Sequence, residues 1–280
     1  AFPGLEPGNF GIVEFELSQD VSARETDWYK EIYATNFYPR LNVNMNVAWD
    51  DSFPMHISST DKNIQCKQAK GSLSCVGKNL PKVKSDSNVM WSDQLASIQL
   101  GQFQNWGQVE EKSNNLFLKS QTPNIKPIES FVLGLLKGET DQFKQISIIH
   151  DFVAQKIQYV SMSENGNSHT PHSVLETLQK RRGDCKDKSA LFYAMLKVIG
   201  VKAYPTLVAT DRSKLNAVRI PTMNIFDHMI VCYEYGNGKS GCSELTDNLI
   251  EAGAYSKQVQ GKVALQLQKN REIVRLHSDR

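Results

Sequence analysis

No run of apolar residues in this chain approaches the roughly 20 that a membrane-spanning helix needs. The first residues, AFPGLEPGNFG, have neither a basic start nor an apolar stretch, so they are not a signal peptide. They read as the interior of a β-rich domain whose upstream part is missing. An excess of charge of one sign is absent too. Thirty-two Lys and Arg against 30 Asp and Glu leave a formal net charge of +2. Basic residues are scattered, with no basic and aromatic stripe, which excludes a nucleic-acid surface. No His, Cys or Asp set has ligand spacing, so neither a metal nor another cofactor is expected. Internal repeats and low-complexity segments are lacking as well.

What is present is ordinary globular composition, 40% hydrophobic and 22% charged, over 280 residues, enough for two domains with a core each. The five cysteines say more. In NIQCKQAKGSLSC a turn centred on Lys70-Gly71 sets Cys66 opposite Cys75. In HMIVCYEYGNGKSGC a Gly236-Asn237-Gly238 loop sets Tyr235 opposite Lys239, and the same register sets Cys232 opposite Cys242. Opposed strand residues are close enough for a disulfide. Two disulfides, Cys66–Cys75 and Cys232–Cys242, and one leftover thiol, Cys185, are therefore expected, and with them an oxidising compartment.

Residues 1–103 alternate apolar and polar positions in FGIVEFELSQ, LNVNMNVAW and ASIQLGQF, the pattern of an antiparallel β-sandwich with one wet face. Residues 104–138 are mixed and hold two prolines, and we expect short helices bridging two domains. From 139 to 280 the period changes. Phe143, Ile146, Ile149, Phe152, Val153 and Ile157 recur at helical spacing. PHSVLETLQKRR reads as a second helix opened by proline, and KDKSALFYAMLKVIG as a third, apolar on most faces and stopped by Gly200. Strands VKAYPTLVAT, HMIVCYEY, SGCSELTD and KVALQLQ follow. Helices first and an antiparallel sheet after indicate an α+β domain built around a buried central helix.

In RRGDCKDKSAL, Cys185 falls in the first turn of that helix. Asp184 is a good N-cap and Asp187 can reach back to the cap's N–H, as in a capping box. Unpaired N–H groups and the positive helix end stabilise an anion, and Arg181, Arg182, Lys186 and Lys188 add positive potential. Such settings lower a cysteine's pKa. His228 starts the strand HMIVCYEY and can project towards the helix terminus. His150 reads as a boundary residue of its helix, and His56 and His277 as surface. The hairpin register puts Glu244 opposite Ile230, on the face of His228 and diagonal to it. Asp247 falls on the other face.

Gly183-Asp184-Cys185-Lys186-Asp187, Asp227-His228-Met229 and the strand end Ser243-Glu244-Leu245-Thr246, with Gly253 beyond, resemble the transglutaminase-like branch of the papain-like thiol enzymes. The chain is similar to the bacterial type in which this domain follows a β-rich domain of unknown function. AFPGLEPGNFG and FQNWGQVEE resemble parts of that preceding domain. The family usually has Asp where Glu244 stands, and Asp247 stays as the alternative acid. The resemblance implies a papain/transglutaminase-like domain, a central helix packed on an antiparallel sheet. It implies Cys185 as nucleophile, His228 as base and Glu244 as the group that orients the imidazole. The expected reaction is acyl transfer, hydrolysing an amide or peptide bond through a thioester. One oxyanion donor would be the Cys185 N–H, the other a group before the helix, His169 or His172. Partners would be peptide, protein or glycopeptide, in the periplasm or secreted. The rival expectation is a peptide- or glycan-binding module of the cell envelope with a weakened triad.

Overall fold

The computed structural model describes Gly8 and residues 27–59, 61, 63–87, 89–121, 125–161, 169–236 and 238–277. The strand expected at 10–19 lies outside the described residues, as does most of the AFPGLEPGNFG segment. The first half contains β1 (Tyr29–Tyr33), β2 (Arg40–Ala48), β3 (His56–Ser59), β4 (Ile64–Ala69), β5 (Ser72–Leu80) and β6 (Ser97–Gly101). Helices α1 (Trp106–Leu118), α2 (Lys126–Leu136) and α3 (Gln142–Lys156) follow, then β7 (Gln158–Tyr159), α4 (Val174–Lys180), β8 (Arg182–Gly183) and α5 (Cys185–Val198). The chain then forms β9 (Lys202–Ala209), β10 (His228–Tyr235), β11 (Lys239–Ser243), β12 (Val263–Gln266) and β13 (Val274–Arg275).

Strands β1–β6 build two three-stranded antiparallel sheets, in the orders β1-β6-β3 and β2-β5-β4. Alternation does the sorting: in β5, Leu73 and Cys75 point inward while their neighbours are exposed. They meet Met45 and Ile64 of the same sheet and Ile98 and Leu100 of the other in one cluster. Gly71, at φ +66°, supplies the left-handed residue that the β4–β5 turn requires. Cys66 then faces Cys75, and the two form a disulfide with Cα atoms 4.1 Å apart.

The second core is organised by α5. A five-stranded antiparallel sheet, ordered β11-β10-β9-β12-β13, carries α5 on one face, and α2, α3 and α4 pack against the helix. From Lys186 to Leu196 only Tyr193 escapes full burial. Leu191, Phe192, Met195 and Leu196 are each fully enclosed, and such burial stabilises by roughly 1.5–3 kcal/mol per side chain. Gly200 at φ +68° ends the helix: its N–H bonds Lys197 O and the Val201 N–H bonds Leu196 O, a Schellman closure. The short helices expected in 104–138 form as α1 and α2, and Trp106, Val109, Phe117, Ile128 and Val132 all enter this same core.

Three local expectations change. Helix α4 opens at Val174 behind Ser173, so Pro171 precedes the helix instead of filling its first turn. Strand β11 stops at Ser243, so Glu244 lies just past the ladder rather than within it. His150 is fully buried, not at a boundary. The β10–β11 register is as read from the loop, with Tyr235 opposite Lys239 and Cys232 opposite Cys242, and the second disulfide closes there.

Because Phe192 sits at the centre of α5, fully buried against the rings of His150 and Tyr233, Phe192→Ala should destabilise the chain by about 3–5 kcal/mol. Urea unfolding measures the loss.

Candidate active site

The start of α5 is held by two carboxylates. Asp184 accepts the N–H groups of Lys186 and Asp187, at 3.1 and 3.4 Å, and Asp187 Oδ2 accepts the Asp184 N–H at 3.0 Å. The capping box expected from the spacing is present. Asp187, fully buried, also binds the preceding loop: its Oδ1 accepts the His172 N–H at 2.8 Å and lies 3.2 Å from His172 Nδ1. A β-carbon on Gly183 would fall 2.6 Å from the Asp187 Cβ, so only glycine lets the chain pass this close to the box.

This leaves Cys185 partly exposed in the helix's first turn, with a free thiol. The capping arrangement serves Lys186 and Asp187, and the Lys188 N–H goes to Asp184 O at 3.0 Å. Among the described residues no hydrogen bond takes the Cys185 N–H.

The basic residues do not surround the sulfur as the sequence led us to expect. Lys186 is buried in an ion pair with Asp184. Lys188 turns inward and donates to Ala154 O and Ile157 O, at 3.1 and 3.0 Å, closing the carboxyl end of α3. Burial pushes its pKa down to about 8. Arg181 lies over the rings of Phe152 and Phe131, at 4.6 and 5.1 Å. Lys186, Lys188 and Arg181 are thus each engaged away from the sulfur.

His228 opens β10, which packs directly on α5. The Ser189 hydroxyl, one turn below the thiol, donates to Met229 O at 3.1 Å and fixes helix to strand beside the histidine. The imidazole is partly buried, with Nε2 3.3 Å from Glu244 Oε1. That N–H is off the axis of a good hydrogen bond, so charge carries much of the contact. Burial disfavours the imidazolium, but the contacts with Cys185 and Glu244 and their charges outweigh it and push His228 up to about 9.

Glu244 is 4% exposed and is held from several sides. Its Oε2 accepts the Ser256 N–H at 2.8 Å, and its Oε1 lies 3.4 Å from the Thr246 hydroxyl. His150 Nε2 on α3 reaches its backbone carbonyl at 3.2 Å. Burial raises its pKa, yet His228 and the Ser256 N–H hold the carboxyl below the usual glutamate range. Asp247 instead accepts the Leu249 N–H at 2.9 Å within a turn.

The structure thus brings Cys185, His228 and Glu244 together and leaves Asp247 out. His172 directs its N–H and Nδ1 to Asp187, and His169 lies in the same loop. Reading the sequence missed three contributors. His150 looked like a boundary residue because its target, the Glu244 carbonyl, is a tertiary contact. Ser189 was one hydroxyl in a helix. Tyr159, half exposed on β7, pairs with Gly183, and its pKa is raised by burial and by the Cys185 and Asp184 charges. Its only signal was an aromatic ending the helical run KIQYV.

Residues 129–214 match the family model of the transglutaminase-like superfamily, a stretch that includes Cys185 and stops short of His228 and Glu244. That segment is therefore similar to the core of the transglutaminase-like superfamily. A crystal structure from Parabacteroides distasonis, that of a "putative protease", superposes with a TM-score of 0.66 at 10% identity. The match covers 89% of this chain and 47% of that one, so this chain spans about half its length. A "putative cysteine protease" from Cytophaga hutchinsonii gives a TM-score of 0.31 at 13% identity, covering 86% and 96% of the two chains. The periplasmic domain of TgpA from Pseudomonas aeruginosa gives 0.33 at 8%, covering 82% and 85%. These last two likenesses are too loose to bear on the fold. No curated protein matches the sequence at a significant level.

Replacing Glu244 by Gln removes the negative charge that supports the imidazolium, so the His228 pKa should fall from about 9. Titrating the ring C–H resonances by NMR in wild type and Glu244→Gln reads the shift. An unchanged midpoint would show that Glu244 does not act on His228.

Proposed function

We propose that this chain is a cysteine-dependent acyl-transfer enzyme that hydrolyses an amide or peptide bond. Cys185 is the nucleophile, His228 the base and acid, and Glu244 the group that holds the imidazole. One observation carries the reading: a free thiol in the first turn of α5 lies within electrostatic reach of a partly buried imidazole whose Nε2 is 3.3 Å from a buried carboxylate.

With Nε2 on Glu244, Nδ1 is the nitrogen left to serve the sulfur. A His228 pKa near 9 keeps the ring protonated at neutral pH, which favours thiolate paired with imidazolium. The thiolate attacks the carbonyl carbon and forms a C–S bond. The tetrahedral oxyanion points at the Cys185 N–H, the group the capping box leaves over. As the C–N bond breaks, His228 gives its proton to the departing amine. Water then attacks the thioester, His228 takes its proton, and the C–S bond breaks to release the acid and restore the thiol pair.

Water is the proposed acceptor because no second amine site marks the chain. The naming of the Parabacteroides neighbour as a protease accords with a peptide, protein or glycopeptide substrate. Two disulfides favour the periplasm or the exterior of a bacterial cell.

Cys185, free while the other four cysteines are bridged, can be alkylated selectively with iodoacetamide. Wild type should react well at pH 6. His228→Ala should lose that reactivity and titrate like an ordinary thiol near pH 8.5. Titration near 8.5 in wild type, unaffected by the histidine, would instead mark a binding module. Cys185→Ser, screened against peptide and glycopeptide libraries, should retain the substrate for identification.

A further inference from the structure

We propose that the β-sheet region, strands β1–β6, is a part of the thiol centre. It fixes the loop 211–226 in the shape that delivers His228 to Cys185, with Gln99, Glu31 and Arg212 as positioning residues. The inference rests on the reading of Cys185 and His228 given above.

The loop joins β9 to β10, and Asp227 separates it from His228. Its mouth is stapled shut. The Asp227 carboxylate accepts the Thr210 N–H at 2.8 Å and the Thr210 hydroxyl, and the Asp227 N–H donates to Val208 O at 3.1 Å. Between these ends the loop has two sides. Val218, Met223, Ile225 and Phe226 enter the core around α5, Phe226 with its ring 6.1 Å from that of Trp106.

The polar groups face the other way, towards β1, β6 and the segment between β5 and β6. Gln99 of β6 is fully buried and accepts the N–H groups of Arg219 and Ile220, at 2.9 and 3.2 Å. Its amide donates to Ala217 O at 2.7 Å and to Glu31 Oε1 at 3.0 Å. Glu31 forms a buried ion pair with Arg212, which also reaches the Tyr33 hydroxyl at 2.8 Å. Asp27 accepts the Met223 N–H at 2.9 Å, and Asp93 accepts the Ser213 N–H and hydroxyl, at 2.8 and 2.7 Å. A β-carbon on Gly101 would fall 2.6 Å from Ile220 Cγ2, so the β6 backbone lies directly on the loop.

Buried backbone N–H groups need partners. At Ser213, Arg219, Ile220 and Met223 the partners are side chains of the β1–β6 region: Asp93 between β5 and β6, Gln99 on β6 and Asp27 just ahead of β1. Without them the loop has no other described acceptors for those groups, and a connection of this length is ordinarily mobile. The far end of the same loop sets where β10 starts, and displacing a catalytic group by about 1 Å can cost on the order of 100-fold in rate.

The test uses the whole chain, iodoacetamide as the probe of Cys185, and amide hydrogen exchange as the probe of the loop. Gln99→Met keeps the side chain's length and removes its four hydrogen bonds. The Arg219 and Ile220 amides should then exchange faster. Alkylation at pH 6 should slow roughly tenfold to a hundredfold, while the rate at pH 10, where the free thiol is ionised, stays within about twofold. Gln99→Met should not slow His228→Ala further, since the two act through one group. Asp93→Asn with Ser213→Ala loosens the less buried end of the loop and serves if Gln99→Met does not fold. A loosened loop with unchanged reactivity at pH 6 overturns the proposal and leaves the His228 reading standing. Wild type without His228-dependent reactivity at pH 6 removes both.

Discussion

The meeting of Cys185 and His228 depends on how α5 lies on its sheet. A helix buried on nearly every side cannot slide or rotate without opening cavities, and interiors packed at crystal density resist that. Once Phe192 and Met195 are seated, the amino end of the helix has one position relative to β10. Cys185 occupies that end and His228 the start of the strand. The Ser189 hydroxyl on Met229 O locks the remaining freedom between them. Core packing thus sets where Cys185 stands relative to the start of β10.

Four carboxylates around this point have four different tasks, set by what each accepts. Asp184 takes helix N–H groups and the Lys186 ammonium. Asp187 divides its oxygens between the cap and the His172 loop. Asp227 closes the loop ahead of the histidine. Glu244 alone faces the imidazole. The first three take backbone N–H groups together with the Lys186 ammonium, the His172 ring and the Thr210 hydroxyl. Glu244 has one oxygen on the Ser256 N–H and the other turned to His228.

Much of this was legible in the sequence because it follows from short-range rules. The capping box follows from Asp184 and Asp187 three apart, the two disulfides from hairpin register, and the buried helix from its all-round apolar pattern. What could not be read depends on contacts between distant segments. The lysines at 186 and 188 looked like a positive field around the thiol, but each found a nearer oxygen. His150 looked peripheral until the Glu244 carbonyl was placed above it. The separate jobs of the first sheets and the loop 211–226 were invisible too, since Gln99 and Ile220 are 121 residues apart and neither belongs to a local pattern.

Every cysteine but one is engaged in a disulfide. Should an oxidant convert Cys185 to a sulfenic acid, the other four cysteines, already bridged, offer no thiol to condense with it. Recovery would then rest on a reducing agent supplied by the surroundings, and over-oxidation would be permanent.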